Sequence, residues 1–394
     1  MSKESINNVE CQKPKLFRVS TIPMSLNLLL KGQLEFLNQD FEVTAISGAG
    51  KDLEIVKNRE GVKVFAIEMQ RQISLFKDLK SLFLLYRYFK KEKPNIVHSI
   101  TPKAGLLTML AGKMAGVPLR MHTFTGLIFP NKEGIMKRVL IGMDQLLCWA
   151  ATHVYPEGNG VKNDLLKYKI TQKPLRVIAN GNVNGIDVEE YNPELFSEVD
   201  KKALRQKLKI SPEDFVFVFV GRLVIDKGLK ELLGAFGKVS NKFPNAKLVL
   251  VGPREDKKSK TENDIFSEIE NNQNIIAVGY QEEVRPYFAM ANVFVLPSYR
   301  EGFPNAVLQA SAMNLPSIVT DISGANEIIQ QNENGIIIPP KNQEELEKAM
   351  VKLLTSSDFL LSLKNNTRER IIQLFDKNLV WQELRREYKR LLQL

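Results

Sequence analysis

Short, continuously apolar runs alternate along the chain with longer stretches in which apolar residues recur every three or four positions. In the first half the short runs are Leu16–Ser20, Phe41–Ser47, Val64–Ile67, Asn95–Ile100, Leu119–Thr123, His153–Tyr155 and Leu175–Ile178. In the second half they are Phe215–Val220, Lys247–Val251, Asn274–Val278, Val293–Leu296, Ser317–Val319 and Gly335–Ile338. Each run reads as a strand, and the lack of polar alternation predicts strands covered on both faces. Ser25–Asn38 and Leu75–Lys91 read as helices, and Leu360–Leu394 carries a charged helical pattern containing Trp381. Strand and helix repeated in this order predict an α/β fold, and two such series predict two Rossmann-like, doubly wound domains. The turn formers in Gly181-Asn182-Val183-Asn184-Gly185-Ile186-Asp187, followed by Tyr191-Asn192-Pro193, mark the boundary. The first domain is thus expected over residues 15–187 and the second over 188–374.

A length of 394 residues agrees with two domains. Cys11 and Cys148 are the only cysteines and stand in no paired spacing, which argues against a disulfide framework and fits a reducing compartment. The first residues, 1–14, are polar and charged with no apolar core; they read as a disordered tail and not as a signal peptide. The longest apolar stretch, Val139 to Tyr155, is interrupted by Asp144 and Gln145, so it reads as a core helix followed by a strand and not as a membrane span. Charge is uneven. Residues 1–190 carry 27 Lys and Arg against 18 Asp and Glu, whereas residues 191–394 carry 28 against 27. A basic first half suggests either a polyanionic partner or merely a solvated basic surface.

Two segments carry the chemistry. The strand Phe215–Val220 runs into Gly221-Arg222-Leu223-Val224-Ile225-Asp226-Lys227-Gly228, and the strand Val293–Leu296 runs into Ser298-Tyr299-Arg300-Glu301-Gly302-Phe303-Pro304-Asn305 and a helix. Both are strand-to-helix corners, which offer backbone N–H groups and a positive helix end at the carboxyl edge of a parallel sheet. Together they supply a carboxylate, Glu301, and two cations, Arg222 and Lys227. Arg gives forked contact to phosphate oxygens and Lys a compact charge, the groups needed to stabilise a departing diphosphate.

At these residues, and over the chain from about residue 15 onward, the sequence resembles glycosyltransferase family 4, the retaining GT-B enzymes. Gly221, Arg222, Leu223, Lys227 and Gly228 match one family motif, and Ser298, Glu301, Gly302 and Phe303 match a second. Asn184-Gly185-Ile186-Asp187 looks like the family's segment at the domain junction. The resemblance implies two Rossmann-like domains facing a cleft, with the last helix, about residues 375–394, rejoining the first domain. It implies catalytic roles for Arg222, Lys227 and Glu301, and donor binding by Gly221, Gly302, Phe303 and Gln309. Gln309 stands where the family usually has a second Glu, and Pro304 where Gly is common. An amide still accepts from a ribose hydroxyl, without the strength of a charged acceptor, and Pro304 offers no N–H.

In the first half, Ser20-Thr21-Ile22-Pro23-Met24-Ser25 ends the first strand, with Ser25 a candidate N-cap. The family resemblance places that loop toward donor phosphates and acceptor. Thr101-Pro102-Lys103-Ala104-Gly105 is similar to a segment of transferases that act on polyprenyl-linked acceptors, so Lys103 reads either as a contact to an acceptor phosphate or as a solvated loop lysine. Thr125 replaces the His that many family members carry at that strand end. His122, three residues earlier, reads either as a cleft residue or as a core histidine.

No Asp-x-Asp and no His/Cys/Asp cluster at ligand spacing occurs, so no metal site and no cofactor are expected. The reading is a retaining, metal-independent glycosyltransferase that moves a sugar from a UDP- or GDP-sugar to a polyprenyl-diphosphate-linked acceptor in surface polysaccharide or glycoprotein assembly. A sugar-nucleotide epimerase of the same fold, or a non-catalytic nucleotide- or nucleic-acid-binding module, are the alternatives. Aromatic residues are not interleaved with basic ones as single-strand binders require, so nucleic acid is not the expected partner. The helix Leu75–Lys91 has an apolar stripe at 75, 76, 79, 82, 83 and 86 with Lys77, Lys80, Arg87, Lys90 and Lys91 around it. That pattern fits either a helix packed on a sheet or one lying on an anionic membrane, and the expected location is cytoplasmic, peripheral on the inner membrane face.

Overall fold

The computed structural model describes residues 13–70, 74–254 and 260–394. The tail expected over residues 1–14 therefore falls, up to residue 12, outside the described residues. The chain divides into two compact units. One comprises the described residues up to Tyr155 with Leu165–Arg176 and Leu384–Leu394; the other comprises Pro156–Asp164 and Val177–Glu383.

In the first unit the strands are β1 (Lys15–Val19), β2 (Glu42–Ser47), β3 (Lys63–Ala66), β4 (Ile96–Ser99), β5 (Leu119–Phe124) and β6 (His153–Pro156), the last closing at the unit's edge. Their order across the sheet is β3-β2-β1-β4-β5-β6. The second unit has β7 (Phe215–Val220), β8 (Ala246–Val251), β9 (Ile275–Gly279), β10 (Val293–Leu296), β11 (Ser317–Thr320) and β12 (Gly335–Ile338), ordered β12-β11-β10-β7-β8-β9. The pairings from β3 to β5 in the first sheet and throughout the second are parallel. Val216 to Phe219 and Val293 to Leu296 are wholly buried, as continuous apolar strands sandwiched between helices must be. Each order reverses once, between β1 and β4 and between β7 and β10, and those two reversals are where a doubly wound sheet opens a crevice for ligands.

Twelve of the thirteen predicted strands form. Leu175–Ile178 does not: its short β-branched run has no neighbour in either sheet and remains irregular. The helix expected over Ser25–Asn38 is two helices, Pro23–Leu29 and Gln33–Asn38, divided at Gly32, whose φ of 78° breaks the helical path. Ser25 is not an N-cap. Ile22 holds that position, Pro23 supplies the first helical residue, and Ser25 already lies in the first turn.

Candidate functional site

In the second unit, the segments after β7 and β10 flank the reversal of strand order. Gly228 joins them. A Cβ there would sit 2.0 Å from the carbonyl oxygen of Pro297, and its φ is +72°, so only glycine admits this approach. The Tyr299 N–H donates to the Asp226 carbonyl at 2.9 Å, stitching one corner to the other. Lys227 then forms an ion pair with Glu301, and Ser298 Oγ donates to Glu301 Oε1 at 2.7 Å. Both charged side chains are largely buried, so their attraction is screened less than that of a surface pair. Thr320 at the end of β11 donates to the Ser298 carbonyl, fixing the loop from beneath.

Gly324 (φ +76°) permits a similar approach on the far side, since a Cβ there would strike the Gly302 carbonyl oxygen at 2.2 Å. Among the described residues, the N–H groups of Gly302 and Phe303 donate to nothing, and the helix Asn305–Ala312 begins immediately after. These unpaired donors and the helix end suit a phosphate or a sugar hydroxyl. The Phe303 side chain packs away from them, buried and tilted against Phe375 with ring centroids 5.5 Å apart. Arg222 lies exposed in the turn that carries Lys227, and Gly221 closes β7 beside Gly252. Gln309 Nε2 donates to the Tyr191 hydroxyl at 2.8 Å, which leaves its carbonyl oxygen as the acceptor.

Reading the residues alone missed three groups here. Tyr191 positions Gln309. Glu327 accepts the N–H groups of Asn159 and Gly160 at 2.6 and 2.9 Å. Glu157 is buried, and burial, aided by the nearby Glu327 charge, pushes its carboxyl up to about 8 although the Val183 N–H opposes this. Glu157 had one signal, an acid two residues after a predicted strand; Tyr191 and Glu327 had none outside their three-dimensional neighbours.

In the first unit, the loops after β1 and β4 flank the other reversal and wall a cavity of about 320 Å³. Thr21, Ser25, Thr101 and Lys103 line it together with Phe124, Gly126 and the helix residues Leu140, Met143 and Asp144. Thr21 and Thr101 hydroxyls meet at 2.8 Å, and Thr125 Oγ1 donates to the Ile100 carbonyl at 3.0 Å, so Thr125 braces the wall. Lys103, read above as a contact to an acceptor phosphate or as a solvated loop lysine, is engaged otherwise: Nζ meets both Asp78 carboxylate oxygens, at 2.8 and 2.9 Å.

His122 is a core histidine and not a cleft residue. Its Nδ1 meets Ser99 Oγ at 2.8 Å, its ring stands edge-on to Phe124, and a Cβ on Gly105 would lie 2.5 Å from its Cε1. Burial lowers its pKa to about 3, so it is neutral. His98 is also buried, bonded to Arg18 and Tyr388 through Nδ1 and to Thr123 through Nε2. Tyr388 belongs to the C-terminal residues Leu384–Leu394 that form part of this unit. Arg18 in an otherwise apolar strand was the one sequence signal of this network.

The helix Leu75–Glu92 turns the expected stripe outward. Leu75, Phe76, Leu79 and Phe83 are 74, 90, 62 and 56% exposed, while Ser81, Leu85 and Phe89 are buried. Among the described residues no helix is long and apolar enough to cross a membrane, and no group of three or more His, Cys, Asp or Glu could hold a metal ion.

Comparison with known proteins agrees with this architecture. Residues 200–370 match the family model for glycosyl transferases group 1, and residues 35–181 match that for the glycosyl transferase 4-like domain. The chain is 31% identical to a capsular polysaccharide biosynthesis glycosyltransferase, CapM, of Staphylococcus aureus, over 95% of this chain and 96% of the relative. It is 28% identical to a UDP-Gal:alpha-D-GlcNAc-diphosphoundecaprenol alpha-1,3-galactosyltransferase of Escherichia coli, over 92 and 94%. It is 26% identical to an N,N'-diacetylbacillosaminyl-diphospho-undecaprenol alpha-1,3-N-acetylgalactosaminyltransferase of Campylobacter jejuni, over 84 and 87%. The fold is that of the Anabaena protein Alr3699/HepE, solved in complex with UDP, at a TM-score of 0.80 and 17% identity over 96% of this chain and all of that one. The family match favours sugar transfer over both the epimerase and the nucleic-acid-binding readings. Two doubly wound units, the paired corner motifs and full-length similarity together make this chain a GT-B glycosyltransferase of family 4.

Proposed function

We propose that the protein transfers a sugar, with retention and without a metal ion, from a nucleoside diphosphate sugar held by the second unit to a polyprenyl-diphosphate-linked sugar held by the first. The observation that carries this reading is the joining of the two corner motifs at the β7/β10 reversal, where Lys227, Glu301 and the unpaired N–H groups of Gly302 and Phe303 converge. Arg222 and Lys227 neutralise the diphosphate as it departs, a role that a divalent ion fills elsewhere. Lys227 exchanges Glu301 for phosphate when the donor binds, and Glu301 then accepts from a sugar hydroxyl. Gln309 accepts from the ribose through its carbonyl oxygen. Among the described residues no side chain beside these groups other than Glu301, assigned here to a sugar hydroxyl, is a candidate nucleophile, and in the family-consistent route the acceptor hydroxyl attacks from the face the diphosphate leaves, a diphosphate oxygen taking its proton.

The lipid-linked acceptor is supported by the names of the relatives above, two of which act on sugars carried by diphosphoundecaprenol. It is also supported by the outward apolar stripe of Leu75–Glu92 with Lys77, Lys80, Arg87, Lys90 and Lys91 on the same helix. Ile135, Met136 and Val139 near the start of the helix Gly134–Ala150 are exposed as well. An apolar face framed by cations has the chemistry of a peripheral contact with an anionic bilayer, and this supports the reading of an enzyme working at the inner face of the membrane.

The test is transfer to an undecaprenyl-diphosphate-linked sugar with UDP- and GDP-sugars as donors, in excess EDTA, with the product's anomeric configuration read by NMR. The expected product keeps the donor's configuration and forms at an undiminished rate in EDTA. An inverted product or an obligate Mg²⁺ requirement overturns this mechanism.

A further inference from the structure

Two acids of the second unit, Glu157 and Glu327, lie close together behind the loop that carries Gly302 and Phe303. The Glu327 carboxylate accepts the N–H groups of Asn159, Gly160 and Gly324, and a Cβ on Gly158 would lie 2.7 Å from its Oε1. Glu157, the residue before that glycine, is only 7% exposed. Among the described residues no cation pairs with Glu157, and the charged group that faces it is Glu327.

Each acid leads to one flank of the unpaired Gly302 and Phe303 N–H groups. Glu157 holds the turn at 181–183 twice. Its carbonyl accepts the Asn182 N–H at 2.9 Å, and its carboxyl accepts the Val183 N–H. That turn is pressed against the donor loop, since a Cβ on Gly181 would lie 2.6 Å from Phe303 Cε2. Asn182 Nδ2 donates to Asn305 Oδ1 at 2.8 Å, at the first residue of the helix Asn305–Ala312. On the other flank, the Gly324 bonded by Glu327 is the residue set against the Gly302 carbonyl.

We propose that Glu157 is a positioning residue of the donor site: it holds the turn at 181–183 against Phe303 and Asn305, and so aims the Gly302 and Phe303 N–H groups at a donor phosphate. Donors fixed in advance stabilise an anion without having to reorganise, which is why a brace behind them matters. A second negative charge beside Glu327 would drive the two acids apart and oppose the phosphate as well. Burial and the Glu327 charge keep the proton on Glu157, its carboxyl pushed up to about 8. This role rests on the reading that the second unit holds a nucleoside diphosphate sugar, and adds a group that acts through the loop it braces.

The experiment titrates UDP and GDP into the full-length native protein by calorimetry. The one that binds is then titrated into Glu157→Ala and Glu157→Gln at pH 7 and 9, beside its nucleoside, followed by NMR. Glu157→Ala strands the Val183 N–H and should weaken diphosphate binding about five- to a hundredfold, the range for a buried donor left unsatisfied. Nucleoside binding, which needs no phosphate contact, should not move. Glu157→Gln keeps an oxygen for Val183 and cannot ionise, so it should recover most of the affinity lost in Glu157→Ala. Native protein should bind the diphosphate about tenfold more weakly at pH 9 than at pH 7, the equivalent of one unit of pKa displacement. Glu157→Gln should largely lose that fall, a comparison that stands should the Ala variant fail to fold. Native-like diphosphate affinity in Glu157→Ala, an equal loss of nucleoside binding, or the same alkaline fall in native protein and Glu157→Gln overturns the inference and leaves the donor reading intact. Failure of native protein to bind either diphosphate defeats the donor reading and the inference with it.

Discussion

The two units share strand number, strand direction and a single reversal of strand order, yet they differ in what they leave unpaired. Of the 22 large apolar side chains exposed among the described residues, seventeen belong to the first unit and five to the second. The second unit concentrates polar complementarity at its reversal, where Lys227, Glu301, Ser298 and Thr320 form one bonded set. The first unit puts an apolar cavity at the same topological place and an apolar helix face outside it. All three histidines belong to it too, two of them buried and neutral. One architecture thus supports two kinds of recognition, because strand order fixes where the crevice opens while loop and helix residues decide its chemistry. A charged, compact ligand suits the second unit, and a larger, partly apolar one suits the first.

The largest expected effect breaks the comparison from the side of the second unit. Lys227→Ala or Arg222→Ala should reduce kcat/KM by a hundredfold or more, about 2.7–4 kcal/mol of transition-state stabilisation, by analogy with loss of one oxyanion donor. Gln309→Ala should cost far less and act chiefly on donor KM, since it removes one neutral hydrogen bond of about 0.5–1.5 kcal/mol. Steady-state kinetics with the donor varied checks both. Small, equal effects from all three would mean that the chemistry lies elsewhere.

A smaller effect is expected on the first unit's outer face. Phe76→Ser should weaken flotation with anionic liposomes by up to about 1.5–3 kcal/mol, the value of burying one large apolar side chain. Transfer to a water-soluble acceptor should be unchanged. Native binding should weaken as salt rises, because cations near an anionic surface contribute about 1 kcal/mol each within a Debye length. Undiminished flotation of Phe76→Ser would show that the stripe is not the contact.

The smallest effect separates the units by pH. Burial holds His98 and His122 neutral in the fold, His122 down at about 3, whereas an unfolded His titrates near ~6.5. Below that pH the unfolded chain binds more protons, so this stability is complete above it and is lost as pH falls toward the folded values. Asp144, raised to about 7, acts in the opposite sense and offsets roughly one of the two histidines. In the second unit Glu157, raised to about 8, is protonated in the fold, so its contribution is complete below the unfolded carboxyl pKa and is lost as pH rises. Between pH 6 and 5 the first unit should therefore lose stability, His153, also lowered by burial, acting in the same sense as the other two histidines, and the second should gain. Hydrogen exchange resolved by unit checks the sign; parallel changes in both units would count against these assignments.

The fold was largely legible in the chain because its main signal is local. A strand buried on both faces must be apolar throughout, so Phe215–Val220 and Val293–Leu296 could be placed without their neighbours. Leu175–Ile178 failed because a β-branched run becomes a strand only when a partner edge is available. The two corner motifs were legible for a related reason: each is a local strand-to-helix pattern with Gly, Lys or Glu at set spacing, whereas the approach of Gly228 to Pro297 that joins them links residues distant in the chain. The outward turn of Leu75, Phe76, Leu79 and Phe83 was not legible. Periodicity reveals that a helix has an apolar face, and here the buried face is the narrower one of Ser81, Leu85 and Phe89.

What the sequence determined by itself is therefore the set of elements, their order, which implies two doubly wound units, and the corner motifs that carry Arg222, Lys227, Glu301 and Gln309 as candidates, since each of these is a local pattern of near neighbours in the chain. What the tertiary structure decided are the partners of residues distant in sequence: Lys103 with Asp78, His98 with Arg18 and Tyr388, and Gln309 with Tyr191, and the place of Asp144 at the rim of a mostly apolar cavity. A side chain's charge state and role depend on burial and on the groups opposite it, and neither is written in the neighbouring residues.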